Sequence, residues 1–336
     1  MALALVMSLA LAAARYTVMS TPDRVELRDG TTDTVVSIVP TVGNIAVSMK
    51  VKGHDVLWWP YTSIADFKAK PQMSGVPFLA PWANRLDEQA FYANGTRYPF
   101  DMTLGNVRGE IPIHGFVTTT DRWRVVEARA TSSAAWVTSR LEFFREPAWM
   151  KQWPFAHAIE MTYRLQDGVL EVALSVANMS AEPMPIAIGF HPYFQLTDSA
   201  RDEWTISVGA RTHWKLAPNK VPTAETEPIE RVFPNPRAAL LREYDLDDVF
   251  SDLERDDKGR ATLSVSGKSQ RITVQFGRNY RSAVVWAPRG RPFICFEPMA
   301  GITDAMNLAQ RGLYKELQTV APGQTWRESF WIKPSA

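Results

Sequence analysis

One segment of the chain, Pro185–Phe194, brings a histidine to the end of an apolar run. If this segment is a strand, the small residues Ala187 and Gly189 share a face with His191, which leaves a hollow where a ligand can approach. Histidine is the side chain best suited to exchange a proton near neutral pH. The residues alone leave two interpretations open: a proton-transfer group, or a histidine that is hydrogen-bonded in the core.

A second segment, Pro292–Pro298, places a carboxylate after four apolar residues. Glu297 ends this apolar run and, like His191, stands directly before a proline. Partial removal from water raises the basicity of a carboxylate, so that it can act as a base near neutral pH. The alternative, a carboxylate that is paired for structural reasons, stays open.

Further polar side chains occur in turn-like segments elsewhere in the chain. Asn84 and Arg85 follow a proline-rich apolar stretch, and hydrogen-bonding groups there suit a ligand with several hydroxyl groups. His114 precedes a glycine and would otherwise pass as an isolated loop histidine. Asp247 and Asp248 are adjacent, and by default they form a solvated turn or a helix cap. For Arg85 the simpler interpretation is a surface ion pair.

The sequence motifs of several common kinds of chemistry are absent. No two of the 18 glycines stand two positions apart, so the dinucleotide fingerprint is missing, and the full phosphate-loop and nucleophile-elbow patterns are absent too. The five histidines include no pair at metal-ligand spacing. The single cysteine, Cys295, lies in an apolar run that predicts an inert core thiol. The sequence therefore points to no metal.

The composition excludes some classes of partner. Among 336 residues, 37 are Lys or Arg and 36 are Asp or Glu, a formal net charge of +1 that gives no electrostatic footprint for nucleic acid. Apolar residues make up 46% and charged residues 22%, which excludes wholesale disorder. The many aromatic residues, together with 23 prolines and 18 glycines, favour strands and loops over helices.

Alternation of apolar and polar residues with period two recurs along the chain and predicts half-buried strands. The runs are centred on residues 45–51, 137–143, 159–165, 170–176, 204–208, 263–265, 272–276 and 326–332. Turn signals separate several of them, namely Lys52-Gly53-His54, Asn94-Gly95 and Asp167-Gly168. This pattern favours an all-β, large antiparallel sandwich.

Helical periodicity is scarce. Only Arg237–Tyr244 and Thr303–Gln310 are predicted as short helices. The tract Pro218–Pro236 contains five prolines and is predicted to be a loop excursion within one domain rather than a linker between two.

The N-terminal residues Ala2–Ala14 form an apolar run that is too short for a typical membrane span. It resembles the apolar part of a secretory signal, so export to the periplasm or the exterior is favoured over a cytoplasmic location. A mis-set start codon or an N-terminal strand packed on the domain stays an alternative. We expect a possible signal segment at 1–14 and a single domain at 15–336.

Taken together, five segments resemble the aldose 1-epimerase (galactose mutarotase) family. In chain order they are Gly75–Leu86, Ile113–Gly115, Gly189–Leu196, Leu246–Phe250 and Phe296–Pro298. A lone His-Pro-Tyr-Phe is a weak signal, whereas five segments in the right order are a strong one. The resemblance implies a galactose mutarotase-like supersandwich with few short helices, whose concave face holds a monosaccharide and which needs no cofactor.

The resemblance also implies residue roles. Glu297 would be the general base and His191 the general acid for opening and reclosing a sugar ring, and we expect a neighbouring carboxylate to keep His191 partly protonated. The implied sugar-binding residues are Arg85, His114, Asp247 and Asn84. Asp247 is chosen over Asp248 because the family places its aspartate three residues before the aromatic Phe250.

Two positions depart from the family pattern. Gln195 stands where the family often has Asn, and Ala224 stands where it often has a glycine that permits positive φ. The second departure leaves the sugar preference open.

The resemblance favours an aldose 1-epimerase acting on a free hexose of the galactose or glucose type. One alternative is a non-catalytic carbohydrate-binding protein of the same fold. Another is a hexose-phosphate epimerase, which would need a basic cluster, with Lys68, Lys70 and Arg108 as candidates. We expect a monomer or homodimer with a monosaccharide substrate, no nucleic-acid partner and no membrane span.

Overall fold

The computed structural model describes residues 14–104 and 107–335, without the side chains of Val107 and Arg108. Residues 1–13 lie outside the described residues, so the signal segment at 1–14 and the single domain at 15–336 stay predictions. No helix in the described ranges is long and apolar enough to cross a membrane.

The chain is mostly strands, as predicted. The strands of the first half are β1 Tyr16–Ser20, β2 Val25–Asp29, β3 Thr34–Val39, β4 Ile45–Val51, β5 His54–Asp55, β6 Phe78–Leu79, β7 Ala90–Ala93, β8 Thr96–Pro99, β9 Val107–Arg108, β10 Ile111–Pro112, β11 Arg124–Ala130, β12 Ala135–Glu142, β13 His157–Gln166 and β14 Val169–Asn178. The strands of the second half are β15 Met184–Ile186, β16 Gly189–Phe190, β17 Tyr193–Phe194, β18 Thr205–Val208, β19 Thr212–Leu216, β20 Pro222–Pro228, β21 Ala239–Leu240, β22 Leu246–Ser251, β23 Ala261–Ser266, β24 Arg271–Phe276, β25 Ser282–Ala287, β26 Ile294–Met299, β27 Gln318–Val320 and β28 Thr325–Ser335.

Two large sheets form the sandwich, which confirms the predicted fold class. A nine-stranded sheet has the order β11-β12-β13-β14-β28-β24-β23-β18-β21. An eight-stranded sheet has the order β20-β19-β22-β25-β26-β16-β6, with β17 also pairing β26. A five-stranded sheet, β1 to β5, is formed by the N-terminal part of the described chain. The core lies between the two large sheets, where the rings of Phe190 and Phe330 are 4.9 Å apart.

The three predicted turns close hairpins with the same backbone conformation. In each, both central residues have positive φ, as at Asp167 (50°) and Gly168 (71°) between β13 and β14. Such turns match the right-handed twist of the flanking strands, and glycine adopts the second position without a steric penalty. Lys52-Gly53 and Asn94-Gly95 have the same signs of φ and join β4 to β5 and β7 to β8. All three turn predictions are confirmed.

The three helices in the described ranges are α1 Ile64–Ala69, α2 Pro147–Gln152 and α3 Ala305–Gln310. The prediction at Thr303–Gln310 is confirmed, whereas α1 and α2 were not predicted.

The helix predicted at Arg237–Tyr244 is wrong. This segment forms β21 and a 3₁₀ turn, because its backbone pairs with β18 and makes a short-range internal bond from the N–H of Tyr244 to the carbonyl of Leu241. The N–H of Leu241 donates to the carbonyl of Trp204 at 2.8 Å, and its carbonyl accepts from the Arg201 guanidinium at 2.7 Å.

The tract Pro218–Pro236 is not wholly a loop, since it contains β20 at the edge of the eight-stranded sheet. Prolines are tolerated on an edge strand because one side needs no ladder hydrogen bond. Ala224, which replaces the glycine often found in the family, has φ 71°. The positive φ is therefore present here even though a methyl side chain makes it unfavourable.

Candidate active site

All six residues predicted to bind or convert a sugar line one cleft of about 270 Å³. The lining residues are Met73, Asn84, Arg85, Ile113, His114, His191, Tyr193, Asp247, Trp286 and Glu297. The cleft lies on the face of the eight-stranded sheet that is turned away from the core. Phe296, for example, belongs to the main core cluster, whereas its neighbour Glu297 points to the cleft.

Three adjacent strands form what we call the sheet side of the cleft. In the antiparallel register, Asp247 on β22 is opposite Trp286 on β25, and Trp286 is opposite Cys295 on β26. Residues directly opposite one another point to the same face, as do residues two apart on one strand. Asp247, Trp286 and Glu297 therefore project into the same space, and His191 completes this side.

Close packing fixes the segment that carries His191. Gly189 pairs with Met299, and a Cβ on Gly189 would lie 2.6 Å from Met299 Sδ and 2.8 Å from the carbonyl oxygen of Pro298. The N–H of His191 donates to the carbonyl of Pro77 at 3.0 Å. The expectation that Gly189 leaves a hollow for a ligand is thus wrong, because this glycine permits the close approach of β16 to β26.

The His191 ring is held among other rings. It stacks on Tyr193 with centroids 4.7 Å apart and an interplanar angle of 14°. Trp286 and His114 meet it edge-on, each with a centroid separation of 5.4 Å. The ring therefore has little freedom to rotate away from its polar neighbour, Glu297.

His191 and Glu297 are in direct contact. Nε2 of His191 lies 3.2 Å from Oε1 of Glu297, and the two residues are only 6% and 1% exposed. Within the described part of the chain, Nδ1 of His191 and Oε2 of Glu297 have no hydrogen-bond partner although both are buried. Each member of the pair thus keeps one polar atom that the protein does not satisfy.

Burial shifts both members of this pair toward their neutral forms. Burial, together with the positive charge of Arg85, lowers the pKa of His191 to about 3. It raises the pKa of Glu297 well above 4.5, an effect that Asp247 strengthens and Arg85 opposes. The carboxylate that was expected beside His191 is in place. Burial opposes the expectation that this carboxylate keeps His191 protonated, because it penalises both charges, and the expectation stays a prediction.

Two loops form what we call the loop side of the cleft, namely Asn84, Arg85 and His114. The N–H of His114 donates to the carbonyl of Asn84 at 2.9 Å, and the N–H of Asn84 donates to Nδ1 of His114 at 3.2 Å. A neutral His114 ring therefore carries its proton on Nε2. Both residues are in the left-handed region, with φ 58° at Asn84 and 62° at His114, a conformation that asparagine and histidine adopt more readily than most other non-glycine residues.

Gly115 lets these two loops touch. It has φ 62°, and a Cβ at this position would lie 1.9 Å from the carbonyl oxygen of Ala80. The N–H of Phe116 donates to that same carbonyl at 3.0 Å. The glycine after His114 is thus required by a backbone contact, and it holds His114 beside Asn84.

Arg85 connects the loop side to the sheet side. Its Nη1 donates to Oδ1 of Asn84 at 3.0 Å, and its Nη2 donates to Oδ2 of Asp247 at 3.1 Å. Oδ1 of Asn84 also accepts from the backbone N–H of Arg85 at 2.9 Å. Arg85 is only 7% exposed, so the interpretation as a surface ion pair is wrong.

The two adjacent aspartates have different surroundings. Asp247 lines the cleft, whereas Oδ1 of Asp248 lies 3.0 Å from Nε2 of His213, whose Nδ1 lies 3.0 Å from Glu227. Neither aspartate is in a solvated turn or a helix cap, because both are part of β22. The choice of Asp247 as the residue that faces a ligand agrees with this geometry.

Four lining residues, Met73, Ile113, Tyr193 and Trp286, were not predicted. Tyr193 could have been found from its position two residues after His191. Trp286 could not, because only the register between β25 and its neighbours places it beside Glu297.

Several other candidate groups whose side chains are described lie outside this cleft. Lys68 pairs with Asp23, and Arg85 is the only Lys or Arg among the described lining residues. Lys70 does not line the cleft, and the side chain of Arg108 is not described. Cys295 is fully buried, and burial raises its pKa well above 9, as expected for an inert thiol. No metal-binding group of His, Cys, Asp and Glu occurs in the described ranges.

Comparison with known proteins places this geometry in context. The model of the aldose 1-epimerase family matches residues 23–333. A galactose mutarotase-like protein from Clostridium acetobutylicum superposes with a TM-score of 0.83 at 22% identity, over 95% of this chain and 98% of that one. Galactose 1-epimerase from Lactobacillus acidophilus gives 0.74 at 15% identity, and a GalM/aldose epimerase homologue from C. elegans gives 0.72 at 15%. Each of these two comparisons covers 95% of this chain and 98% of the other. At these identities the superpositions establish the fold alone.

Proposed function

The chain belongs to the aldose 1-epimerase family, and from this premise we propose that it interconverts the α- and β-anomers of a free hexose of the galactose or glucose type. The observation that carries the proposal is the contact of 3.2 Å between His191 and Glu297, each of which keeps one unsatisfied polar atom. Such a pair supplies an acid and a base at one point of a cleft that accommodates a small polar ligand.

The chemistry requires a base near O1 and an acid near O5 of the sugar at the same time. Glu297 takes the proton of the anomeric hydroxyl, O1, while His191 gives a proton to the ring oxygen, O5. The C1–O5 bond breaks and a C1=O1 double bond forms, so that the sugar becomes an open-chain aldehyde. Rotation about C1–C2 presents the other face of the carbonyl, and the same steps run in reverse. O1 and O5 are bonded to the same carbon, which suits two groups in contact.

The proton count of the pair is conserved through this cycle. The pair holds one proton, either as an imidazolium with a carboxylate or as a neutral imidazole with a carboxylic acid. Ring opening converts the first form into the second, because the base gains a proton as the acid loses one. Burial favours the second form, as the pKa shifts of His191 and Glu297 indicate. Removal from water therefore stabilises the form of the pair that accompanies the open-chain sugar.

The remaining lining residues fit the needs of a sugar with several hydroxyl groups. Arg85 and the Nε2–H of His114 supply donors, and Asp247 and Asn84 supply acceptors. Trp286 and Tyr193 provide aromatic surface on which the C–H face of a sugar ring can stack.

The direct test is polarimetry of freshly dissolved α-D-galactose and α-D-glucose, whose rotation relaxes as the anomers equilibrate. The wild-type protein should accelerate this relaxation. Glu297→Gln keeps the shape of the side chain but removes the base, and it should lower kcat by about 10²–10⁴-fold. Circular dichroism should show an unchanged fold. Near wild-type rates in this variant would refute the assignment of Glu297.

The same assay separates the two alternatives. A non-catalytic sugar-binding protein would bind galactose in calorimetry without accelerating its mutarotation. A hexose-phosphate epimerase would act faster on glucose 6-phosphate than on glucose. We expect the reverse order, because Arg85 is the only Lys or Arg among the described lining residues and is already paired with Asp247.

A further inference from the structure

Asp304 lies fully buried directly behind the loop that carries Arg85. Its backbone N–H donates to the carbonyl of Arg85 at 3.1 Å. Its Oδ1 accepts from the backbone N–H of Asp87, also at 3.1 Å. One residue therefore holds the backbone on both sides of Leu86, although it does not line the cleft itself.

Asp304 has a left-handed backbone conformation. Its φ is 64°, in the left-handed region, which costs a non-glycine residue free energy. It precedes α3 at a position where an aspartate commonly caps the helix with its carboxylate, yet this side chain makes no such bond. The carboxylate is directed to the loop at Asp87 instead.

Asn307, in α3, and Arg311, directly after it, complete the attachment of α3 to the loop that carries Arg85. Nη2 of Arg311 donates to Oδ2 of Asp304 at 2.9 Å, and Arg311 also pairs with Asp87. Nδ2 of Asn307 donates to Oδ1 of Asp87 at 2.9 Å. Both carboxylates thus have partners, and the residues around α3 form a single network with the loop.

The position of Asp304 in the chain links the two sides of the cleft. It follows β26, the strand that carries Glu297, after a short connection. The connection is itself fixed, since the N–H of Ala300 donates to the carbonyl of Ile188 at 2.9 Å. The chain segment that carries Glu297 therefore continues to the residue that holds the backbone of Arg85.

We propose that Asp304 is a positioning residue, which sets the place of the Arg85 guanidinium in the cleft by fixing the loop backbone on either side of Leu86. Asp304 acts through Arg85 and does not touch the sugar. The inference rests on the proposed function for its readout, because Arg85 is there assigned to sugar binding.

A double-mutant cycle between Asp304 and Arg85 tests this inference. Asp304→Ala should raise KM for galactose by about 10-fold or more with a smaller change in kcat, as expected when ground-state and transition-state binding are lost together. In an Arg85→Gln background, adding Asp304→Ala should change KM by less than about 2-fold, because residues that act through one another are not additive.

Two further variants separate positioning from a general loss of structure. Asp198 also accepts backbone N–H groups from a distant loop, those of Ser269 and Gln270, at 2.6 and 2.7 Å. Asp198→Ala should lower Tm but leave KM unchanged. If Asp304→Ala does not fold, Asp304→Asn keeps an acceptor for the Asp87 N–H and should give a smaller rise in KM.

Two results would overturn the inference. One is an equal rise in KM from the Asp304 variant with and without Arg85. The other is a rise of the same size from Asp198→Ala. Failure of the proposed function looks different, since the wild-type protein would then not accelerate mutarotation at all. In that event the dissociation constants of galactose for the same set of variants, measured by calorimetry, still decide whether Asp304 acts through Arg85.

Discussion

The sheet side of the cleft buries two ionisable groups in contact, His191 and Glu297, whereas the loop side ties its polar groups to one another. On the sheet side, burial lowers the pKa of His191 and raises that of Glu297, so the neutral form of each group is favoured. On the loop side, Asn84 satisfies both the backbone and the guanidinium of Arg85, and His114 accepts from Asn84. Strand register places the first set, and residues with positive φ place the second.

This difference indicates a division of work. Groups that exchange protons gain from removal from water and from a rigid strand framework, since their pKa values must be shifted and their positions kept. Groups that bind hydroxyls need fixed donors and acceptors whose charges stay compensated, as Arg85 is by Asp247. The predictions that follow test whether the two sides can be altered separately.

The largest effect is expected on the sheet side. His191→Asn removes the acid while keeping a polar side chain, and it should lower kcat by about 10²–10⁴-fold with little change in KM. His157→Asn is the matched control, because His157 is also buried, and burial lowers its pKa to about 4, but it does not line the cleft. Polarimetry with galactose gives both constants. An equal loss of kcat in the two variants would show that His191 acts only in the fold.

A smaller effect, of a different kind, is expected on the loop side. Arg85→Gln should raise KM by about 10- to 100-fold, because a hydrogen bond to a charged group contributes about 1.5–3 kcal/mol. The value of kcat should fall less. Arg289→Gln, which alters an exposed arginine bonded to the carbonyl of Glu243, should leave both constants unchanged. A loss confined to kcat would remove the distinction between the two sides.

The sequence was informative about the two sides to different degrees. A local signal, a short apolar run that ends before a proline, marked His191 and Glu297 as candidates, and the family resemblance supplied their roles. The contact between them could not, since it depends on β16, β17 and β26 pairing across the sheet. Trp286 was missed for the same reason, because nothing in its own strand marks it as facing the cleft.

Backbone constraints were the other source of error. Gly189 was interpreted as space for a ligand, whereas it permits close strand packing against Met299. The role of Asp304 could not be predicted either, because its partners Arg85 and Asp87 lie in a distant segment. The period-two pattern predicted the sandwich well, since it depends only on which face of each strand is buried. The short helices α1 and α2 carry no comparable pattern.

The pH dependence of activity should separate the charges that surround Glu297. The pair must hold one proton, so kcat/KM should fall as the pH rises through the raised pKa of Glu297, where that proton is lost. Burial is the main cause of that raised pKa, Asp247 adds to it and Arg85 opposes it. Asp247→Asn should therefore move this alkaline limb of the pH profile to lower pH, and Arg85→Gln should move it to higher pH. If the pH profiles of both variants shift in the same direction, a group other than Glu297 controls this pH dependence.

The smallest effect concerns stability. In the pH range between the ordinary pKa of glutamate, about 4.3, and the raised pKa of Glu297, the folded chain holds a proton that the unfolded chain releases. The free energy of unfolding of the wild-type protein should therefore fall, through this group, as the pH rises across that range. Glu297→Gln lacks the titrating group, so the variant should gain stability relative to the wild type between pH 5 and pH 8.

Urea denaturation followed by circular dichroism at both pH values measures this difference. His191 is present in both proteins but is in contact with Glu297, so the comparison reports the titration of the pair. A relative stability that instead declines with pH would mean that Glu297 is ionised in the folded chain and gains from an imidazolium at His191. The sheet side would then hold an ion pair, and burial would favour the form of the pair that precedes ring opening rather than the form that follows it.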